Sequence, residues 1–185
     1  MSTPKLLFIV GSQRKQSFNK TMAEVAAKHF EGQAEISFLE YGDVPFVNQD
    51  IEFPPPASVT RVREEVMTAD ALWIVTPEYN HEIAAQLKNL IDWLSRPLVK
   101  FDYETPRPLT GKPVAISSAA GAAGGIDGRT ALEKLLVRLG AKPVGGPGEG
   151  FVLPKAAFVS GVYHIPEEEQ ARLFAQGEAL LAAVQ

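Results

Sequence analysis

The 185-residue chain contains no cysteine. That absence removes disulfides, thiolate metal sites and cysteine-based redox or nucleophilic chemistry, and it fits a cytoplasmic protein. Basic charge is not in excess either: 18 Lys and Arg stand against 22 Asp and Glu, a formal charge of −4. A protein whose main partner is nucleic acid normally carries a basic excess or stripe, so no such partner is expected. No apolar stretch approaches the roughly 18 unbroken residues needed to cross a bilayer, and the run in MSTPKLLFIVGS is too short for a signal peptide. Histidine is scarce, and His81 and His164 lack metal-ligand spacing, so no metal is expected.

What is present is ordinary globular composition, 45% apolar and 22% charged, in a length that suits a single domain over 1–185. Short apolar runs alternate with helix-like periods. KLLFIV (5–10) reads as a strand covered on both faces. Met22, Val25, Ala26, His29 and Phe30 then share a helical stripe ending at Gly32. AEISFLEY (34–41), DALWIVT (70–76) and KPVAISS (112–118) read as further strands. Between them lie helical stripes through Val59, Val62 and Val66, through Ile83, Leu87, Leu90, Ile91 and Leu94, and through Leu132, Leu135, Leu136 and Leu139. A fifth strand is expected within 142–153, where GGPGEG interrupts it. A last helix is expected from Pro166, with three glutamates at its positive end. Such alternation predicts an α/β three-layer sandwich with a five-stranded parallel sheet, in the flavodoxin-like order 2-1-3-4-5.

Ligands of open α/β sheets bind beyond the carboxyl ends of the strands, where the strand order reverses. Three unusual loops fall there. GSQRKQSFNK (11–20) follows the first strand and leads into a helix N-terminus, whose free amides and partial positive charge suit an anion. Ser12, Ser17 and Asn19 add side-chain donors, and Arg14 a fork that matches phosphate oxygens. Taken singly, Ser17 or Asn19 reads as a helix cap. After the third strand, TPEYNHEIAAQLKN (76–89) offers Pro77, Tyr79 and Asn80 as a turn able to face a planar ligand. After the fourth, SSAAGAAGGIDGR (117–129) carries Gly121, Gly124 and Gly125, which permit close backbone approach. No pair of side chains reads as an acid–base or nucleophilic dyad.

GSQRKQSFN together with PEYNHEIAAQLKNLIDWLSR and GKPVAISSAAGAAGG resembles the NAD(P)H-dependent FMN reductases of flavodoxin-like fold, over about residues 5–140. That group also holds quinone, chromate and azo-dye reductases. The resemblance implies that Ser12, Arg14, Ser17, Phe18 and Asn19 hold the FMN phosphate and ribityl chain. By the same likeness, Pro77, Glu78, Tyr79 and Asn80 border the isoalloxazine. Ser117, Ser118, Gly121 and Gly124 would line its far side.

With FMN bound and no catalytic side chain, the implied activity is hydride transfer from NADPH or NADH, by a ping-pong mechanism. The implied acceptor is a quinone, a flavin, an azo dye or a metal oxyanion. A homodimer or homotetramer follows from the likeness as well. The alternative is a flavodoxin-type electron carrier, which binds FMN without turning over nicotinamide. Glu82, Ala84 and Ala85 depart from the serine and proline-glycine pair usual in the family, and nothing is transferred beyond Gly145.

Overall fold

A computed structural model describes residues 3–184. Strand β1 (Lys5–Val10) leads to α1 (Phe18–His29), β2 (Glu35–Phe38), a 3-10 turn (Gln49–Ile51), α2 (Ala57–Thr68) and β3 (Ala71–Val75). A small hairpin of β4 (Glu78–Tyr79) and β5 (Glu82–Ile83) precedes α3 (Ala85–Leu94), β6 (Pro113–Ala120) and α4 (Ile126–Arg138). Last come β7 (Lys142–Pro143), β8 (Glu149–Val152), α5 (Lys155–Ser160) and α6 (Glu167–Ala182).

The main sheet is parallel, in the order β2-β1-β3-β6 with β7 and β8 both paired to β6. This is the flavodoxin-like order, with the fifth place shared by two short strands. β7 pairs with Pro113 and Val114, and β8 with Ser117 to Ala120. Between them the chain passes very close to the β6 backbone. Gly148 sits at φ 68, and a Cβ there would lie 1.8 Å from the Ile116 carbonyl oxygen, so only glycine can pass that point of the edge.

Alternation along the strands sorts the core into two layers. Leu6, Phe8, Ala71, Trp73, Val75 and Ala115 point to the α1 and α6 side, where they meet Met22, Phe30, Leu173 and Leu180. Leu7, Ile9, Leu72, Ile74, Val114 and Ile116 point to α2, α3 and α4. Full burial of such a side chain is worth about 1.5–3 kcal/mol, so these layers hold the strand ends in place for the loops that follow.

Some local expectations are revised. Ile83, read as part of a helical stripe, belongs to β5, and α3 begins at Ala85. His29 is exposed rather than interior, stacked flat on Phe174 at 3.7 Å. Helix α5 was not expected. Helix α6 does start after Pro166, with Glu167, Glu168 and Glu169 in its first turn. No described helix is long and apolar enough to cross a membrane.

Candidate active site

The loop after β1 is shaped by two short polar side chains. Ser17 is the N-cap of α1, its Oγ accepting from the Lys20 amide at 3.2 Å. The amides of Phe18 and Asn19, in the same first turn, have no partner among the described residues. Asn19 is buried and spends both ends of its amide on the end of β6. Its Nδ2 donates to the Ala119 carbonyl at 3.0 Å, and its Oδ1 accepts from the Ala119 N–H at 2.8 Å. Expected as a ligand donor, Asn19 instead braces two loops against each other. Arg14 is exposed and makes no ion pair among the described residues, its guanidinium lying 4.8 Å from the Phe18 ring centre.

After β3 the chain runs through buried Pro77 into the β4–β5 hairpin. Asn80 and His81 fill its two-residue turn at φ 54 and 63, the pattern of a type I′ turn. Non-glycine residues adopt that region at a cost, and here the hairpin is latched to α4. Glu78 Oε2 accepts from the Gly128 amide at 2.8 Å, and His81 Nδ1 meets Asp127 Oδ2 at 2.7 Å. The bond to Asp127, its charge and then that of Glu78 raise the His81 pKa above its usual value. Glu78, His81 and Asp127 bring ligand-type atoms within 4.8 Å of one another, a convergence that the spacing of histidines in the sequence did not suggest.

The loop after β6 is built on its backbone. Gly124 and Gly125 take φ 57 and 73, and a Cβ on Gly125 would lie 2.7 Å from Ser118 Oγ. The Gly124 carbonyl accepts from Ser118 Oγ and, at 3.4 Å, from Arg129 Nε. Arg129 is buried to 5% exposure and also donates through Nη1 to the carbonyls of Pro147, at 2.8 Å, and Gly148. Burial lowers its pKa, with Glu149 and then Glu78 acting against that shift. No carboxylate lies within ion-pair distance of it among the described residues. Backbone oxygens alone satisfy this cation.

The three loops enclose a slot of about 140 Å³, lined among others by Ser12, Arg14, Ser17, Phe18, Asn19, Pro77, Glu78, Tyr79 and Gly121. Nine expected residues therefore meet around one space, and four others do not line it. Asn80 is at the exposed hairpin tip. Ser117 is in the core, accepting from Trp73 Nε1 at 2.9 Å and donating to Gln176. Ser118 faces the Gly124 carbonyl, and Gly124 backs onto Gly150. The loop expected on the far side of the ring reaches the slot through Ala119, Ala120 and Gly121, while Leu153 and Phe158 on the walls, and Arg129 behind them, were not expected. Ala119 and Ala120 lie in the glycine-rich segment 117–129, whereas Leu153 and Phe158 fall beyond Gly145, where no motif offers a signal.

This donor set suits a phosphate monoester on a planar heteroaromatic: a guanidinium without an ion pair among the described residues, a serine hydroxyl, open helix amides and walls that include Pro77, Ala119, Ala120 and Leu153. Comparison with known proteins agrees. Residues 4–152 match the family described as NADPH-dependent FMN reductase. A quinone reductase of Pseudomonas putida is 38% identical over 133 residues, covering 71% of this chain and 68% of the relative. The Escherichia coli K12 quinone reductase is 35% identical over 162 residues, covering 85% and 78%. Among solved structures, FerB from Paracoccus denitrificans, a flavoenzyme NAD(P)H:(acceptor) oxidoreductase, superposes with a TM-score of 0.84 at 28% identity over 98% of this chain and 97% of its own. An archaeal flavodoxin, at TM-score 0.63 and 13% identity, shares the fold over 97% of this chain and 98% of its own. The chain belongs to the NADPH-dependent FMN reductase family, and is a flavin-dependent NAD(P)H oxidoreductase with FMN as its cofactor.

Proposed function

We propose that the protein passes hydride from a nicotinamide dinucleotide to a quinone by way of FMN held in the slot between the loops after β1, β3 and β6. Bound FMN supplies the hydride-accepting and hydride-donating chemistry. The residues bind, orient and exclude water. Arg14, Ser12 and the open amides of Phe18 and Asn19 hold the phosphate. Pro77, Glu78 and Tyr79 form one wall of the ring site, and Ala119, Ala120 and Gly121 the other. Leu153 and Phe158 close it on the apolar side. No side chain acts as acid, base or nucleophile. Donor and acceptor use the same open face in turn, which makes the exchange ping-pong. A flavin, azo dye or metal oxyanion taking the quinone's place would need no other residue. Assembly as a homodimer or homotetramer remains part of this reading through the family resemblance.

The observation that carries the proposal is the convergence on one slot of an Arg14 without an ion pair among the described residues, an open helix N-terminus and two walls from separate loops. The decisive experiment is purification followed by an NAD(P)H oxidation assay with a quinone. A yellow protein that turns over NADPH or NADH is expected. A colourless protein that takes up no added FMN would overturn the reading, and a yellow one inert to both nicotinamides would favour an electron carrier. Arg14→Ala is expected to weaken FMN binding by about 1.5–3 kcal/mol, the worth of a charged hydrogen bond. Unchanged affinity in a flavin titration removes Arg14 from the phosphate site.

A further inference from the structure

One phosphate accounts for Arg14 but leaves Lys15 and Lys20 without a role. None of the three cations forms an ion pair among the described residues. Lys20 and Glu24 even share a face of α1 at the i, i+4 spacing that favours pairing, and do not pair. In a chain of net charge −4, carboxylates to neutralise them are not scarce.

All three cations line a second groove, of about 470 Å³. It lies over the carboxyl ends of β1 and β2, whereas the flavin slot lies over β1, β3 and β6. Ser12 and Arg14 line both spaces, so the two adjoin at these residues. Phe38, Leu39 and Tyr41 give the groove an apolar side. Tyr41 is fixed there, its phenol donating to the Val10 carbonyl at 2.7 Å, with burial, opposed by Gln13, pushing its pKa up to about 12. Glu40 lies two residues past the end of β2 and lines the same groove, and its carboxylate has no partner among the described residues.

Cations free for phosphates, an apolar side and the carboxylates of Glu24 and Glu40, the latter just past the second strand, together suit a nucleoside diphosphate. In the dinucleotide-binding sheets of Rossmann type, an acidic residue after the second strand accepts hydrogen bonds from a ribose 2′-hydroxyl and disfavours a 2′-phosphate, and Glu40 occupies a comparable place here. We propose that this groove receives the adenosine diphosphate half of the nicotinamide dinucleotide, with Lys15 and Lys20 on its phosphates and Glu40 on its adenosine ribose, so that NADH is preferred over NADPH. The inference rests on the flavin-dependent reading above and names the recognition site for its donor.

The test is calorimetric titration of the FMN-loaded protein with ADP-ribose and with 2′-phospho-ADP-ribose, neither of which can donate hydride. ADP-ribose is expected to bind about tenfold more tightly or better, from the 1.5–3 kcal/mol of a hydrogen bond to a charged group. Glu40→Gln should shrink that preference, and lower the NADH to NADPH ratio of kcat/KM, by a similar factor. The double variant Lys15→Gln/Lys20→Gln should weaken both fragments alike and flatten their salt dependence. Equal binding of the two fragments to the wild-type protein overturns the proposal, as does a preference that survives Glu40→Gln. Release of FMN by ADP-ribose also overturns it, since the lysines would then serve the flavin phosphate. Failure of the flavin reading shows separately, as a colourless protein or absent turnover, while the titrations still report on the groove.

Discussion

The loops after β1 and after β6 face the same slot and are held by opposite means. After β1, side chains do the holding: Ser17 caps the helix, and Asn19 reaches across to Ala119. After β6, the backbone takes its shape from glycines at positive φ, and Arg129 holds it from behind by its carbonyls. The first design leaves amides and cations pointing outward for a ligand. The second turns polar groups inward and leaves a smooth wall of Ala119, Ala120 and Gly121. A phosphate needs donors and a flat ring needs shape, so the difference follows from what each loop would face.

Removing Arg129 should break the second design with the largest effect. In Arg129→Met the carbonyls of Pro147 and Gly148 lose the donor they share, and the Gly124 carbonyl keeps only Ser118. At about 1–3 kcal/mol for a buried group left unsatisfied, applied to two part-buried carbonyls, denaturant unfolding should show a loss of roughly 2–5 kcal/mol. Arg129→Lys should recover part of it. A loss below about 1 kcal/mol would mean that the glycines and Ser118 suffice, and the contrast between the loops would fail.

Asn19→Ala probes the side-chain design and should cost less, about 2 kcal/mol, because only the N–H and C=O of Ala119 lose their partner. Its effect should reach both loops, since the amide bridges them. Amide exchange that quickens at residues 17–20 and leaves Ala119 unchanged would show that the bridge constrains one side only.

The same contrast explains what was legible in the sequence. Alternating apolar runs placed β1, β3, β6 and the sheet order, because strands buried on both faces are written in composition. Ser12, Arg14 and Ser17 stood out because their donors are side chains, although Asn19 proved to be a brace. The carbonyls that Arg129 holds belong to no residue type, and an arginine in the first turn of a helix, against the helix dipole, reads as a surface residue. The β4–β5 hairpin was hidden because Asn80 and His81, not glycine, occupy its left-handed turn. Leu153 and Phe158 reach the slot from a segment without motif, brought there by the pairing of β8 with β6.

The hairpin joins the two designs, and its latch to Asp127 includes a titrating histidine. His81 is exposed, so the effect is the smallest of those expected, and its sign is determined by the shift. With a folded-state pKa above the unfolded value of about 6.5, the protonated latch to Asp127 contributes stability that is fully present below that value. The contribution is lost as the pH rises through the folded-state value. Proton NMR should therefore find His81 titrating above about 6.5. Amide exchange at Gly128, beside the latch, should lose protection over that same rise once corrected for the intrinsic pH dependence of exchange. His81→Gln should match the wild type at high pH and fall short of it at low pH. A His81 that titrates at or below its ordinary value, or a variant that differs equally at all pH, would leave the Glu78–Gly128 bond and the packing of β5 against Gly128 to hold the hairpin on α4.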